Sequence, residues 1–315
     1  MRGRSQPAKA VRLAVRAGGV AAIGAAAAVP LLRRRLRIPA PVTVAAVAAG
    51  PLALTVLQPR SKRRDVALFA LQMWAFTIAH ELPYDDPARL RRRLRSRYPV
   101  LGDRVLGCGR LPNARLQGAL ARLSRVGALD RVLTWTHWLW FFEPYLSLTL
   151  ILVRHNERFP RAARQMAAIF DLGCAVYFAV PTAPPWWAAE NGLTDGEEVR
   201  RIMVEVGETT WGGAWERMYE TLGGNPWAAM PSLHFATSLQ AALSLAEAGR
   251  VEGALGWAYA GTLGFALVYL GEHYVTDLLA GALLVAAVRR GEPLAEPLAR
   301  RLNAALRRLE GIASG

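Results

Sequence analysis

"TLGFALVYLGEHYVTDLLAGALLVAAV", residues 262–288, decides how this chain is read. Apolar residues fill both halves, yet Glu272, His273 and Asp277 interrupt the run near its centre. A helix of about 20 apolar residues is long enough to cross a bilayer. Ionisable groups inside such a run are costly, so they point to function by default. His273 and Asp277 stand four residues apart. On a helix that spacing gives one face, with the carboxylate in reach of the imidazole.

Working outward, apolar blocks recur. Ile38–Gln58 and Gly253–Gly271 are uncharged, Gln165–Val180 is broken only by Asp171, and Val132–Val153 holds His137 and Glu143. With 53% hydrophobic residues among 315, this reads as an all-α, polytopic membrane helical bundle. The formal net charge is +15, and 37 of the 39 basic residues are arginine, clustered at the edges of the apolar runs. That placement fits the positive-inside rule and anionic membrane lipids as partners, not nucleic acid. No zinc-finger, RNA-reading or basic-zipper pattern is present. The two cysteines, Cys108 and Cys174, form neither a disulfide framework nor a CxxC site, and five scattered histidines make no metal constellation. We therefore expect no metal and no cofactor.

The N-terminus holds apolar segments at about 17–32 and 38–58, each followed by arginines. The first imitates a signal peptide but runs directly into "LLRRRLR", so a retained segment is expected. Arginines at both ends of the second suggest that one of the pair lies in the interface rather than spanning. From Arg89 to Arg125 there are eleven arginines among leucines at helical spacing, which reads as short amphipathic helices lying on the bilayer. Apolar segments follow at 132–153, 165–181, 231–248, 253–272 and 274–288. The one long link, Ala188–Asn225, carries eight acidic residues and three arginines. The other links and the tail are basic, which places the acidic loop outside the cytoplasm.

Following helix direction, segment 165–181 ends at "VPTAPPWW", where Pro181, Pro184 and Pro185 stop a helix. "MPSLH" then opens the next segment at the same face, with Pro231 in a first turn and Ser232 beside free N–H groups, an anion-binding arrangement. Segments 231–248 and 253–272 form a hairpin that returns the chain to this face at His273. Ser232, His234, His273, Asp277 and the Pro-Trp turn should therefore converge. Two histidines, one backed by a carboxylate, suit phosphoryl transfer with a nucleophile and a separate acid. His80, His137 and His155 show no partner pattern and read as packing or surface residues. Trp186, Trp187 and Trp227 read as an interfacial belt.

"PSLH" at 231–234, followed by "HYVTD" at 273–277, resembles the type 2 phosphatidic acid phosphatase superfamily. With "PTAPPWW" (181–187) and "YLGEHYVTDLLAG" (269–281), the set is similar to its inositolphosphotransferase branch, which includes inositol phosphorylceramide synthases. The resemblance implies a six-helix core, shared with vanadium haloperoxidases and metal-free, preceded here by extra apolar segments. It also implies His273 as the nucleophile that becomes phosphohistidine, Asp277 as its orienting carboxylate, and His234 as the acid that later activates the acceptor. Pro231, Ser232, Leu233, Pro184, Pro185 and Trp186 would line the substrate. A lipid phosphate or phosphodiester would be the substrate, and water or an alcohol such as inositol the acceptor.

Two departures stand out. "PTAPPWW" replaces the family's Lys…Arg-Pro motif, and Leu267 stands where an arginine precedes the nucleophile by six residues. Less cation suits a phosphodiester, the head-group transferase side of the family. The rival is a non-catalytic lipid-binding or transport scaffold. The organisation expected is a basic and apolar membrane region over 1–64, a catalytic membrane domain over 65–290 with motifs in 165–288, and a basic cytoplasmic tail over 291–315. The cell membrane is the expected location, multi-pass, with the active site on the extracytoplasmic side.

Overall fold

Of the 315-residue chain, the computed structural model describes residues 5–121, 125–215, 217 and 225–314. Part of the acidic loop, including Glu216 and Glu220, lies outside the described residues. Contacts group the chain into two compact units, residues 1–85 with 290–315, and residues 86–289. The fold is all-helical. Among the described residues no strand forms, and the only extended pairing is two isolated bridges, Arg95 to Thr182 and Thr182 to Ala228.

The first unit holds α1 (Ser5–Leu36), α2 (Ala40–Leu57), α3 (Lys62–Glu81) and a 3-10 turn at Leu82–Asp85. Gly50 of α2 lets α1 approach closely, since a Cβ there would sit 2.9 Å from the Ala26 methyl. Arg33 is buried and stays charged between Glu81 and Asp85, each 3.1 Å away. Lys9–Leu36 and Ala40–Leu57 are both long and apolar enough to cross a membrane, so nothing in their length singles out one for the interface.

In the second unit come α4 (Pro87–Arg92), α5 (Arg97–Leu106), α6 (Pro112–Leu120), α7 (Ala128–Leu139), α8 (Glu143–Arg154) and α9 (Phe159–Ala179). Then follow α10 (Pro185–Glu190), α11 (Ile202–Trp211), α12 (Leu233–Ala248), α13 (Arg250–Tyr269) and α14 (Val275–Ser314), whose second half belongs to the first unit. α13 is the third helix long and apolar enough to cross a membrane. The α12–α13 hairpin packs backbone against backbone. A Cβ on Gly253 would lie 2.7 Å from the Ala246 Cα, and one on Gly256 2.8 Å from the Ala242 Cα. Small residues at such a seam let dispersion, rather than hydrophobic expulsion, hold apolar helices together.

Several expectations change. The apolar run 132–153 is not one helix. It breaks after Leu139, where Trp140, Phe141 and Phe142 make tight i→i−3 bonds before Glu143–Pro144 restarts the helix. The arginine-rich stretch does form short helices, but α5 and α6 also bury Asp103, Asn113 and Gln117. Those three decide how the site is held.

Candidate active site

α13 ends because Gly271 adopts φ +81°, a left-handed conformation that L side chains rarely take. The Gly271 N–H then donates to the Val268 carbonyl at 3.2 Å and the Glu272 N–H to Leu267 at 3.1 Å, the paired bonds of a Schellman stop. A Cβ at Gly271 would also lie 2.5 Å from the Arg200 carbonyl oxygen, so the turn needs glycine twice over. His273 therefore sits in a turn before α14, not on one helix face with Asp277 as its spacing suggested. The two still meet. Asp277 is in the first turn of α14, and its Oδ2 lies 3.3 Å from His273 Nδ1 while accepting the Tyr274 N–H at 2.9 Å. That back-reaching bond is half of a capping box, so the same carboxylate starts the helix and holds the imidazole.

The turn is pinned from the arginine-rich region. Asn113 Nδ2 donates to the carbonyls of Val268 (2.7 Å) and His273 (3.0 Å). Gln117 Nε2 donates to Tyr269 at 2.8 Å and to Arg200 at 2.9 Å. Asp103, fully buried, accepts the Val275 N–H at 2.9 Å and the Thr276 N–H at 2.8 Å. Burial raises the Asp103 carboxyl above its ordinary range, and these two N–H bonds pull it back down. The N–H groups that open α14 are thus already satisfied, so that helix end offers no anion site.

α12 supplies the facing residues. Ser232 is its N-cap and accepts the Phe235 N–H at 3.2 Å, while its own N–H donates to the Asp277 carbonyl at 3.0 Å. Pro231 precedes the cap rather than occupying the first turn, and its carbonyl accepts the Tyr177 hydroxyl at 2.7 Å. Leu233 packs into the space left by Gly173 of α9. His234, half-buried, brings its Nδ1 to 3.1 Å from His273 Nε2. The order Asp277, His273, His234 is a continuous hydrogen-bonded chain ending beside a helix N-terminus, whose dipole favours an anion.

The Pro-Trp turn lies alongside. Pro184 caps α10, Pro185 opens it, and the Trp186 N–H donates to the Gly271 carbonyl at 3.3 Å. The Arg201 guanidinium stacks 4.1 Å above the Trp186 ring and pairs with Glu272 at 3.2 Å. Trp186 is thus part of the site wall, and Trp187 packs edge-on to Trp227 at 5.1 Å. Tyr98, whose phenol burial pushes up, bonds Thr182 at 2.6 Å and closes the far side of the same turn. Leu267 is fully buried and contributes no charge, whereas the Arg201 guanidinium reaches the 271–273 turn through Glu272.

Sequence reasoning missed two groups. Asp103, Asn113 and Gln117 were hidden among arginines, and only their polarity beside leucines hinted at burial. His137 reads along the chain as a packing or surface residue, yet its ring centroid stands 4.9 Å from that of His234, and that of Trp140 4.1 Å from it.

Residues 114–289 match the family model described as the PAP2 superfamily. Comparisons with curated proteins and with solved structures give no significant match.

Proposed function

Because the chain belongs to the PAP2 superfamily, whose match covers more than half its length, we propose that His273, Asp277 and His234 carry out phosphoryl transfer through a phosphohistidine. Membership makes this a membrane protein of the lipid phosphatase and phosphotransferase type, acting on a lipid phosphate. The observation that carries the finer reading is the chain of contacts, 3.3 Å from Asp277 to His273 Nδ1 and 3.1 Å from His273 Nε2 to His234 Nδ1. Asp277 fixes the tautomer that leaves a lone pair on Nε2, the arrangement a nucleophile needs. That lone pair attacks phosphorus. The bond to the leaving oxygen breaks with its electron pair, and His234 supplies the proton that makes it an alcohol. In the second half His234 removes a proton from the acceptor, which attacks the phosphohistidine and frees His273.

Arg201 is proposed to meet the phosphate in place of the arginine absent at Leu267. One such cation suits a phosphodiester, which supports an inositolphosphotransferase-like reaction with an alcohol acceptor. The missing cations are also the feature a non-catalytic lipid-binding scaffold would show. Trapping with a radiolabelled lipid phosphate separates the two: the wild type should take up acid-labile, base-stable label, and His273→Ala none. Label retained in His273→Ala would remove His273 as the nucleophile, and no vanadate-sensitive turnover at all would favour the scaffold.

We also propose a multi-pass topology with the site facing outside the cytoplasm. In the second unit, the α8–α9 and α12–α13 connections, remote from His273, carry Arg154, Arg158, Arg161 and Arg250, which supports a cytoplasmic side there by the positive-inside rule. Thr209→Cys on α11 should then be labelled by an impermeant maleimide on intact cells. Labelling only after lysis would reverse the orientation.

A further inference from the structure

The mechanism leaves one buried group near the triad unused. His137 is 5% exposed, and its Nδ1 is buried without a hydrogen-bond partner. Leaving such an atom unpaired is costly, and folded proteins carry few of them. Its surroundings are not loose. Trp140, beside it on the wall that faces His234, is held by its indole N–H donating to Thr237 Oγ1 at 2.8 Å. His234 thus has two imidazoles as neighbours, His273 at a centroid distance of 5.3 Å and His137 at 4.9 Å.

The proposed reaction, on which this inference rests, gives that atom a task. With His234 Nδ1 hydrogen-bonded to His273 Nε2, no phosphorus can approach Nε2. Attack in line places the leaving oxygen on the far side of phosphorus from Nε2, so the His234 ring must give up its bond to His273 to reach that oxygen. As the acid, His234 is an imidazolium with two N–H donors. One proton passes to the leaving oxygen as the P–O bond breaks, the bonding pair staying on oxygen while the Nε2 lone pair of His273 forms the P–N bond. The second N–H, inside a buried wall, requires an acceptor. We propose that His137 Nδ1 is that acceptor, which makes His137 the positioning residue of the acid, as Asp277 is of the nucleophile. A neutral imidazole suits the role because it orients His234 without the charge that would hold the proton back from the leaving group.

Three substitutions test this in the full-length protein in detergent. His137→Phe keeps a ring and removes both nitrogens, His137→Asn returns an amide oxygen near the Nδ1 position, and His137→Gln returns one near Nε2. With a dialkyl-type lipid phosphate, whose alkoxide needs a proton, H137F should lose about 10–100-fold in kcat, the usual effect of removing an outer hydrogen-bond partner. With a nitrophenyl phosphate, whose leaving group needs little help, the loss should be smaller by about tenfold or more. H137N should recover most of the difference and H137Q should not. Equal losses on both substrates, equal behaviour of H137N and H137Q, or no loss in H137F would overturn the proposal. If H137F fails to fold, the Asn and Gln variants decide it between them. His273→Ala is assayed alongside. Wild-type turnover that does not depend on His273 would remove the proposed function and this inference together, whereas His273-dependent turnover with a uniform loss in H137F would remove the inference alone.

Discussion

Replacing Asp277 by Asn tests the site with the least change in shape. Asp277 is fully buried, and its Oδ2 serves both the His273 ring at 3.3 Å and the Tyr274 N–H at 2.9 Å. As His273 attacks phosphorus its ring gains positive charge. Two unit charges 3.3 Å apart attract by about 5 kcal/mol at an effective dielectric of 20. A neutral amide oxygen at the same place recovers about 1 kcal/mol as an ordinary hydrogen bond. The difference, about 4 kcal/mol, corresponds to about a 10³-fold fall in kcat. A second effect acts in the same direction. If the amide turns the other way, its NH2 faces His273 Nδ1 and forces the tautomer that lacks a lone pair on Nε2. The analogous change in a serine-protease triad costs about 10⁴ for that reason. Initial rates on a lipid phosphate in mixed micelles, beside a thermal melt, give the answer. The melt should stay close to wild type, since the amide keeps the cap and removes a buried charge. A fall of less than about tenfold in a folded Asp277→Asn protein would refute charge stabilisation of His273 as the purpose of the pair.

His234→Ala should lose about 10²–10⁴-fold on an alkyl phosphate and markedly less on a nitrophenyl phosphate, and equal losses in the two kinetic series would rule out His234 as the acid. Arg201→Gln removes the cation stacked on Trp186 and should raise KM for a lipid phosphate about tenfold or more, the effect of one charge-assisted bond; unchanged KM and vanadate affinity would exclude Arg201 from phosphate binding. Asp103→Ala leaves the Val275 and Thr276 N–H groups buried without an acceptor, so stability should fall by about 1–3 kcal/mol in denaturant unfolding, with activity falling before unfolding as the His273 turn loosens. A variant as stable as wild type would show that water replaces the carboxylate.

Much of this protein is legible along its sequence because the signals are local. Apolar runs of membrane length dictate helices, since a backbone shielded from water must satisfy its own hydrogen bonds. The hairpin between α12 and α13 brings His234 and His273 to one end of the bundle. Their convergence at one face follows from helix direction, and packing sets the 3.1 Å contact. What the sequence could not determine depends on partners far along the chain. Asp103 meets Val275 across 172 positions, and Asn113 meets His273 across 160, in a stretch whose arginines make it look like a lipid-facing surface. His137 shows no spacing relation to His234, and only tertiary packing brings its ring to 4.9 Å from that of His234. A side chain's periodicity tells which way it faces on its own helix. Which neighbour it faces is decided by packing, and here packing alone put a third histidine beside His234 and a distant carboxylate under the His273 turn.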